Sequence, residues 1–234
     1  MPNVTEAALK ERARALLVGM TERSRWVYAL PRDGFAKVCE LLEAEGMQKV
    51  AEEAEGTVRR YASEGSEAAF VVFDSADLDV TLIEAEGDAV VPSMQKLLEL
   101  TGFFPQSKLW GEALDIGGPR STTSLKILAH MAVAWDEDWT DLFLLHLASP
   151  DAMVRREALS ATTLAAMVAR RARPAIELLE EAKRREKFPK LAETIDEGLR
   201  ALRALDGQPL PIDQLPLDPS RGSNGADEDT ESND

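Results

Sequence analysis

Two histidines, one cysteine, one Ser-x-x-Lys pattern and a group of turn acids are the residues whose types suggest chemistry. His130 and His146 each lie in an apolar helical stretch without the i, i+4 partner that a zinc-binding helix supplies, so both read as packing residues rather than ligands. Cys39 has no histidine nearby in sequence and falls on the inner stripe of a short helix, where a thiol is buried and inert. Ser93 and Lys96 match the Ser-x-x-Lys spacing of acyl-enzyme hydrolases, in which a lysine one turn later activates the serine. The companion Ser-Asp-Asn and Lys-Thr-Gly elements are missing. Asp74, Asp77 and Asp79, with Glu84 and Glu86, are acids a divalent cation could gather. Their spacing is not that of a calcium loop, and solvated turn acids are the simpler reading. The Asp115-Ile116-Gly117-Gly118-Pro119 stretch lacks the Gly-Lys-Ser/Thr ending of a phosphate loop and reads as a linker. The catalytic list is therefore empty, with no metal and no cofactor expected.

Recognition is the other kind of work a surface can do. Arg155, Arg156, Arg170, Arg171 and Arg173 form the best candidate contacts to an acidic partner, although Arg155 is also placed to be consumed structurally. Trp135 and Trp139 are candidate hot-spot aromatics, with core anchoring as the commoner role for an indole. Lys183, Arg184, Arg185, Lys187 and Lys190 add a second basic cluster. Glu177, Glu180, Glu181 and Glu186 interleave with it at i, i+3 and i, i+4, as on a solvated helix face.

The elements that must carry these residues follow from composition and period. The chain has 234 residues, 27 Lys and Arg against 42 Asp and Glu, and a formal charge of -15, which disfavours phosphate backbones and anionic lipid. No apolar run approaches the roughly 20 residues that span a bilayer, the start of the chain lacks a secretory pattern, and one cysteine suits a reducing cytoplasm. The charge is uneven: residues 1–150 balance to -11, residues 151–206 to +2 and residues 207–234 to -6, so the acidity lies outside the C-terminal helices. Apolar spacing predicts helices near residues 5–20, over 35–42 and, from Met47, Val50, Ala51, Ala54, Val58 and Tyr61, over 47–61. Ala68–Glu86 reads as a β-hairpin, and Arg25–Leu30 as either a short strand or the end of a helix.

From Gly118 the sequence becomes a succession of helices near 120–134, 138–148, 150–171, 174–187 and 188–205. Within it, Asp151, Val154, Arg155, Ala158, Leu159 and Ala161 follow a Ser149-Pro150 turn, and this unit resembles a HEAT repeat over about residues 140–170. In the unit that follows, through Leu205, the helix–turn–helix length persists but the Asp and Val-Arg signature does not. The resemblance implies a concave helical surface offered to another macromolecule. Physically, Asp151 is placed to cap its helix, Arg155 to reach a neighbouring repeat, and the alanine stripe to let helices approach.

The expected fold is mainly α. A mixed helical and β region (residues 1–115) with a small hairpin precedes a short HEAT-like α-solenoid (116–207), and a proline-containing strap and disordered acidic tail (208–234) follow. The expected function is a non-catalytic, cytoplasmic adaptor or regulator that binds another protein. One alternative is a toxin-neutralising immunity protein, whose acidic N-terminal region covers a basic nuclease-like site. Another is a HEAT-like nucleic-acid-binding protein or DNA glycosylase, which the net charge argues against. The tail reads first as solubilising, with weak electrostatic folding back onto the arginine-rich face as the alternative.

Overall fold

The computed structural model describes residues 25–64, 68–87 and 90–205. The predicted helix near residues 5–20, the strap and the acidic tail lie outside the described residues. Five antiparallel strands form one sheet: β1 (Arg25–Pro31), β2 (Gln48–Glu53), β3 (Val58–Ala62), β4 (Ala69–Ser75) and β5 (Val80–Glu86). Their order is β1-β5-β4-β3-β2, so β2 to β5 make a meander and β1 closes its far side. The predicted hairpin is β4–β5, and Arg25–Leu30 is a strand.

The helix expected over 47–61 is instead the β2–β3 hairpin. Ala54, Glu55 and Gly56 turn it with φ of 51°, 58° and 87°, three successive left-handed residues that no right-handed helix contains. Val58 and Tyr61 are three apart and both buried, yet they serve opposite sheet faces, so apolar residues at helical spacing came from two surfaces at once. β2 is the sheet edge; Lys49, Glu52 and Glu53 and a register shift beside Val50 keep it from templating another strand.

Helices cover both faces of the sheet. Trp26, Tyr28, Leu30, Tyr61, Phe70, Val72, Ile83 and Ala85 meet α1 (Phe35–Ala44) and α2 (Val91–Leu100), where Cys39 is buried at 2% exposure. On the other face Val27, Ala29, Val80 and Leu82 share one core with the C-terminal helices. β1 alternates between these cores, which is why Trp26 through Leu30 read as an unbroken apolar run.

Those helices are α3 (Gln106–Leu114), α4 (Ser121–Met131), α5 (Glu137–Leu147), α6 (Ala152–Val168), α7 (Ala172–Arg185) and α8 (Pro189–Leu205). α3 falls before the expected boundary at 115, yet it packs against α4 and joins the helical half. α6 ends in a Schellman motif, Arg171 N–H donating to Ala166 O at 2.9 Å and Arg170 N–H to Met167 O at 3.1 Å. Arg170 fills the left-handed position, φ 53°, usually given to glycine. Left-handed backbone costs a side-chain-bearing residue about 1–2 kcal/mol, and glycine's extra unfolded-state freedom returns about half of that. Arg170→Gly is therefore expected to raise the unfolding free energy by about 0.5–1 kcal/mol in urea titrations, and Arg170→Val to lower it.

Candidate functional site

The N-terminal end of α6 gathers the residues that carry the repeat-like signature. Asp151 caps the helix, its Oδ1 accepting from Met153 N–H at 2.8 Å. Arg155, one turn in, sends Nη1 to the carbonyls of Ser149 and Pro150 at 2.9 and 3.0 Å. Its Nε and Nη2 donate to Glu186 Oε2 and Oε1 at 2.8 and 3.0 Å. Glu186, in the turn between α7 and α8, also accepts from the N–H groups of Lys187 and Phe188, both at 2.9 Å, and its side chain is only 3% exposed. The guanidinium holds this carboxyl far below the usual range, at about 2, against burial and with help from those two N–H groups. Arg155 lies over the Phe188 ring at 5.5 Å, while Phe188 and Met153 keep 56% and 59% of their surfaces exposed.

The sequence-derived contact candidates separate. Arg155 is consumed by the turns just described. Arg156 is exposed at the same end, whereas Arg170, Arg171 and Arg173 are exposed at the other, roughly 20 Å away along α6 at 1.5 Å per residue. The five arginines are thus two surfaces. Arg171 spends Nη1 on Trp135 O at 3.0 Å, and Arg173 meets Glu177 at 3.4 Å in a well-solvated pair. Trp135 and Trp139 are core residues, each 5% exposed and stacked around Phe143 with Trp110 behind, so they leave the list of accessible hot spots. Met153 and Phe188 were missed because an isolated apolar residue at a helix start carries no sequence signal of exposure.

Sequence reasoning also missed a buried Ser121–His146 pair. Ser121 Oγ lies 3.2 Å from His146 Nε2 and donates to Ala113 O at 3.0 Å, and His146 Nδ1 faces Leu142 O at 3.0 Å. The residues are 2% and 0% exposed, and a carbonyl stands where a Ser-His-Asp triad carries its carboxylate, so the pair ties α3, α4 and α5 together. Burial pushes His146 below its usual value, with the two carbonyls opposing. The unfolded chain then takes a proton near pH 6.5 that the folded chain refuses, and stability falls as pH drops below that value. Urea unfolding between pH 7.5 and 5.5 should show this loss, and His146→Gln should flatten it.

Among the described residues the other chemical candidates assemble no site. Lys96 pairs with Glu45 on the surface instead of serving Ser93, and Asp74 pairs with Arg32. Among the described residues no group of three or more His, Cys, Asp and Glu is arranged to hold a metal ion, and no helix is long and apolar enough to cross a membrane. A cavity of about 30 Å3 lies between the sheet and α4 and α6, lined by Arg25, Glu84, His130 and apolar side chains including Phe73 and Met167. It has room for about two water molecules, too little for an organic ligand. In the second basic cluster, Lys183 pairs with Asp196, and Arg184 and Arg185 pair with Glu181; beside it Arg203 pairs with Glu180. No protein-family model, curated protein or solved structure matches the chain.

Proposed function

We propose that this chain is a non-catalytic protein-binding adaptor whose C-terminal helices stack as HEAT-like repeats. The observation carrying this reading is the Arg155–Glu186 contact, in which the arginine of one helix pair grips the turn of the next. Contacts of α4 with α6, α6 with α8 and α5 with α7 are consistent with stacked pairs. The sheet face bearing Val27, Ala29, Val80 and Leu82 already packs into the core shared with these helices, so the docking surface assigned to the adaptor is the exposed end of α6 and the α7–α8 turn. Met153 and Phe188 supply apolar area there, and Arg156, Lys187 and Lys190 supply positive charge. A segment with apolar anchors flanked by acids is the matching partner. The ion pairs within α7 and between α7 and α8 offset the charge a nucleic-acid groove would need.

The test is native affinity purification with the full chain and with Met153→Asp/Phe188→Asp. One protein should be recovered reproducibly by the first and at least about tenfold less by the second, since central anchors dominate interface energy. The variant's melting temperature should stay within a few degrees, both side chains being exposed. Equal recovery by the two chains, or no recovered protein together with turnover of some substrate, would remove the adaptor reading.

A further inference from the structure

Three arginines crowd the start of α7, and the acid that meets them there, Glu177 at 3.4 Å from Arg173, does so in a largely solvated pair. Arg171 is its N-cap residue and Arg173 its second helical residue. The N-cap side chain makes no capping hydrogen bond, and no acid lies in the first turn. Arg170, Arg171 and Arg173 are all exposed, and the positive end of the helix adds to their field instead of offsetting it. This is where a helix ordinarily carries Asp or Glu.

The segment that follows α8 is acidic and long enough to reach this place. α7 and α8 run antiparallel, Lys183 meeting Asp196 and, further along, Glu180 meeting Arg203 at 2.6 Å. The end of α8 at Leu205 is thus level with the second turn of α7, and Arg173 lies only about one further turn, roughly 5 Å, along the axis. Beyond Leu205 the sequence continues for 29 residues. Its last stretch carries Asp227, Glu228, Asp229, Glu231 and Asp234, and residues 207–234 hold seven acids against one base. The intervening residues 206–217 span up to about 37 Å when extended, more than enough to bring those acids back.

We propose that the acidic C-terminal segment, residues 218–234, docks on the Arg170–Arg171–Arg173 cluster at the start of α7. The contact is electrostatic and fluctuating. Tethering holds the segment at an effective concentration in the millimolar range, so an intrinsic affinity of about 1 mM leaves the cluster half covered. Whatever acidic ligand approaches this end of the helices must displace the tail first. The contact is intramolecular and stands independently of the partner proposed for the other end of α6.

The experiment uses the full chain with Ser223→Cys carrying a nitroxide, Cys39 being buried at 2% exposure and unlabelled. At about 20 mM salt, where exposed charges still attract across 20 Å, the amides of residues 170–177 should broaden; at about 500 mM they should recover. Arg170→Glu/Arg173→Glu should abolish the effect. Neutralising the tail by Asp227→Asn, Glu228→Gln, Asp229→Asn and Glu231→Gln should do the same while leaving the helices unaltered. Broadening at residues 153–156 and 187–190 instead, no broadening at low salt, or broadening unchanged by both sets of substitutions would overturn the proposal.

Discussion

Glu84→Ala is expected to lower the unfolding free energy by about 3–5 kcal/mol, because it strands a buried cation. Arg25 and Glu84 are only 10% and 14% exposed, on the sheet face that meets α4 and α6. Arg25 Nε donates to Glu84, Nη1 donates to Val168 O at the end of α6, and Nη2 is buried without a protein partner. The guanidinium already carries one unmet donor, so losing the carboxylate removes the charge it pairs with. The double variant Arg25→Met/Glu84→Leu should behave differently. It deletes both charges and fills the space with apolar atoms, leaving mainly the released Val168 carbonyl at a cost of about 1 kcal/mol. Urea unfolding at pH 7 compares the unmutated chain with Glu84→Ala and the double variant, and the singles Arg25→Met and Glu84→Leu close the cycle. A single variant costing under about 1 kcal/mol, or a double variant no more stable than Glu84→Ala, would contradict this account.

The second large effect is acid sensitivity at Glu186. Its folded-state value of about 2 lies well below the ordinary carboxylate value of 4.5, so its contribution is complete above about pH 4.5. It is lost as pH falls towards 2. The difference corresponds to about 3 kcal/mol, and the side chain is nearly inaccessible, so solvent screening takes little from it. Glu186→Gln keeps the shape and discards the charge. The variant should lose about 2–3 kcal/mol at pH 7 and show a correspondingly shallower decline between pH 5 and 2. Because Glu112 and Glu181 are also held below their usual range, the decisive quantity is the difference between the two chains, not either slope alone. Parallel acid-unfolding curves would place the stabilising charge elsewhere.

The helical half was legible because each of its signals is local. Asp151 caps α6 as expected, with Pro150 one residue before the cap instead of at the first helical position, Arg155 reaches the neighbouring turn, and the five helices expected after Gly118 match α4 to α8 closely. The sheet was only half legible. β4 and β5 announced themselves through β-branched and aromatic runs, but β2 is an exposed, charged edge strand with no alternation to read. β3 buries Val58 on one face and Tyr61 on the other, with Arg59 and Arg60 half-buried between them, which gives helical spacing to residues that never share a face. α2 and α3 were overlooked, each only 9 or 10 residues long and interrupted by polar positions. Of the seven contact candidates, the two tryptophans were core and Arg155 was internal. Sequence reports that an aromatic or an arginine is present, whereas burial depends on what the rest of the chain lays over it.

α6 is pinned at both ends by side chains that do not belong to it. Glu186, next to the last helix, holds its first turn, and Arg25, on the first described strand, holds its last carbonyl. Fraying from either end therefore breaks a long-range contact, so the usual cheap route to partial opening is closed. Strand and distal helix are coupled through a rod that cannot loosen locally, and the chain gains cooperativity across a sequence separation of some 160 residues. A substitution in β1 is consequently felt at the α7–α8 turn as a change in how often the whole body opens, with no displacement needed to carry the message.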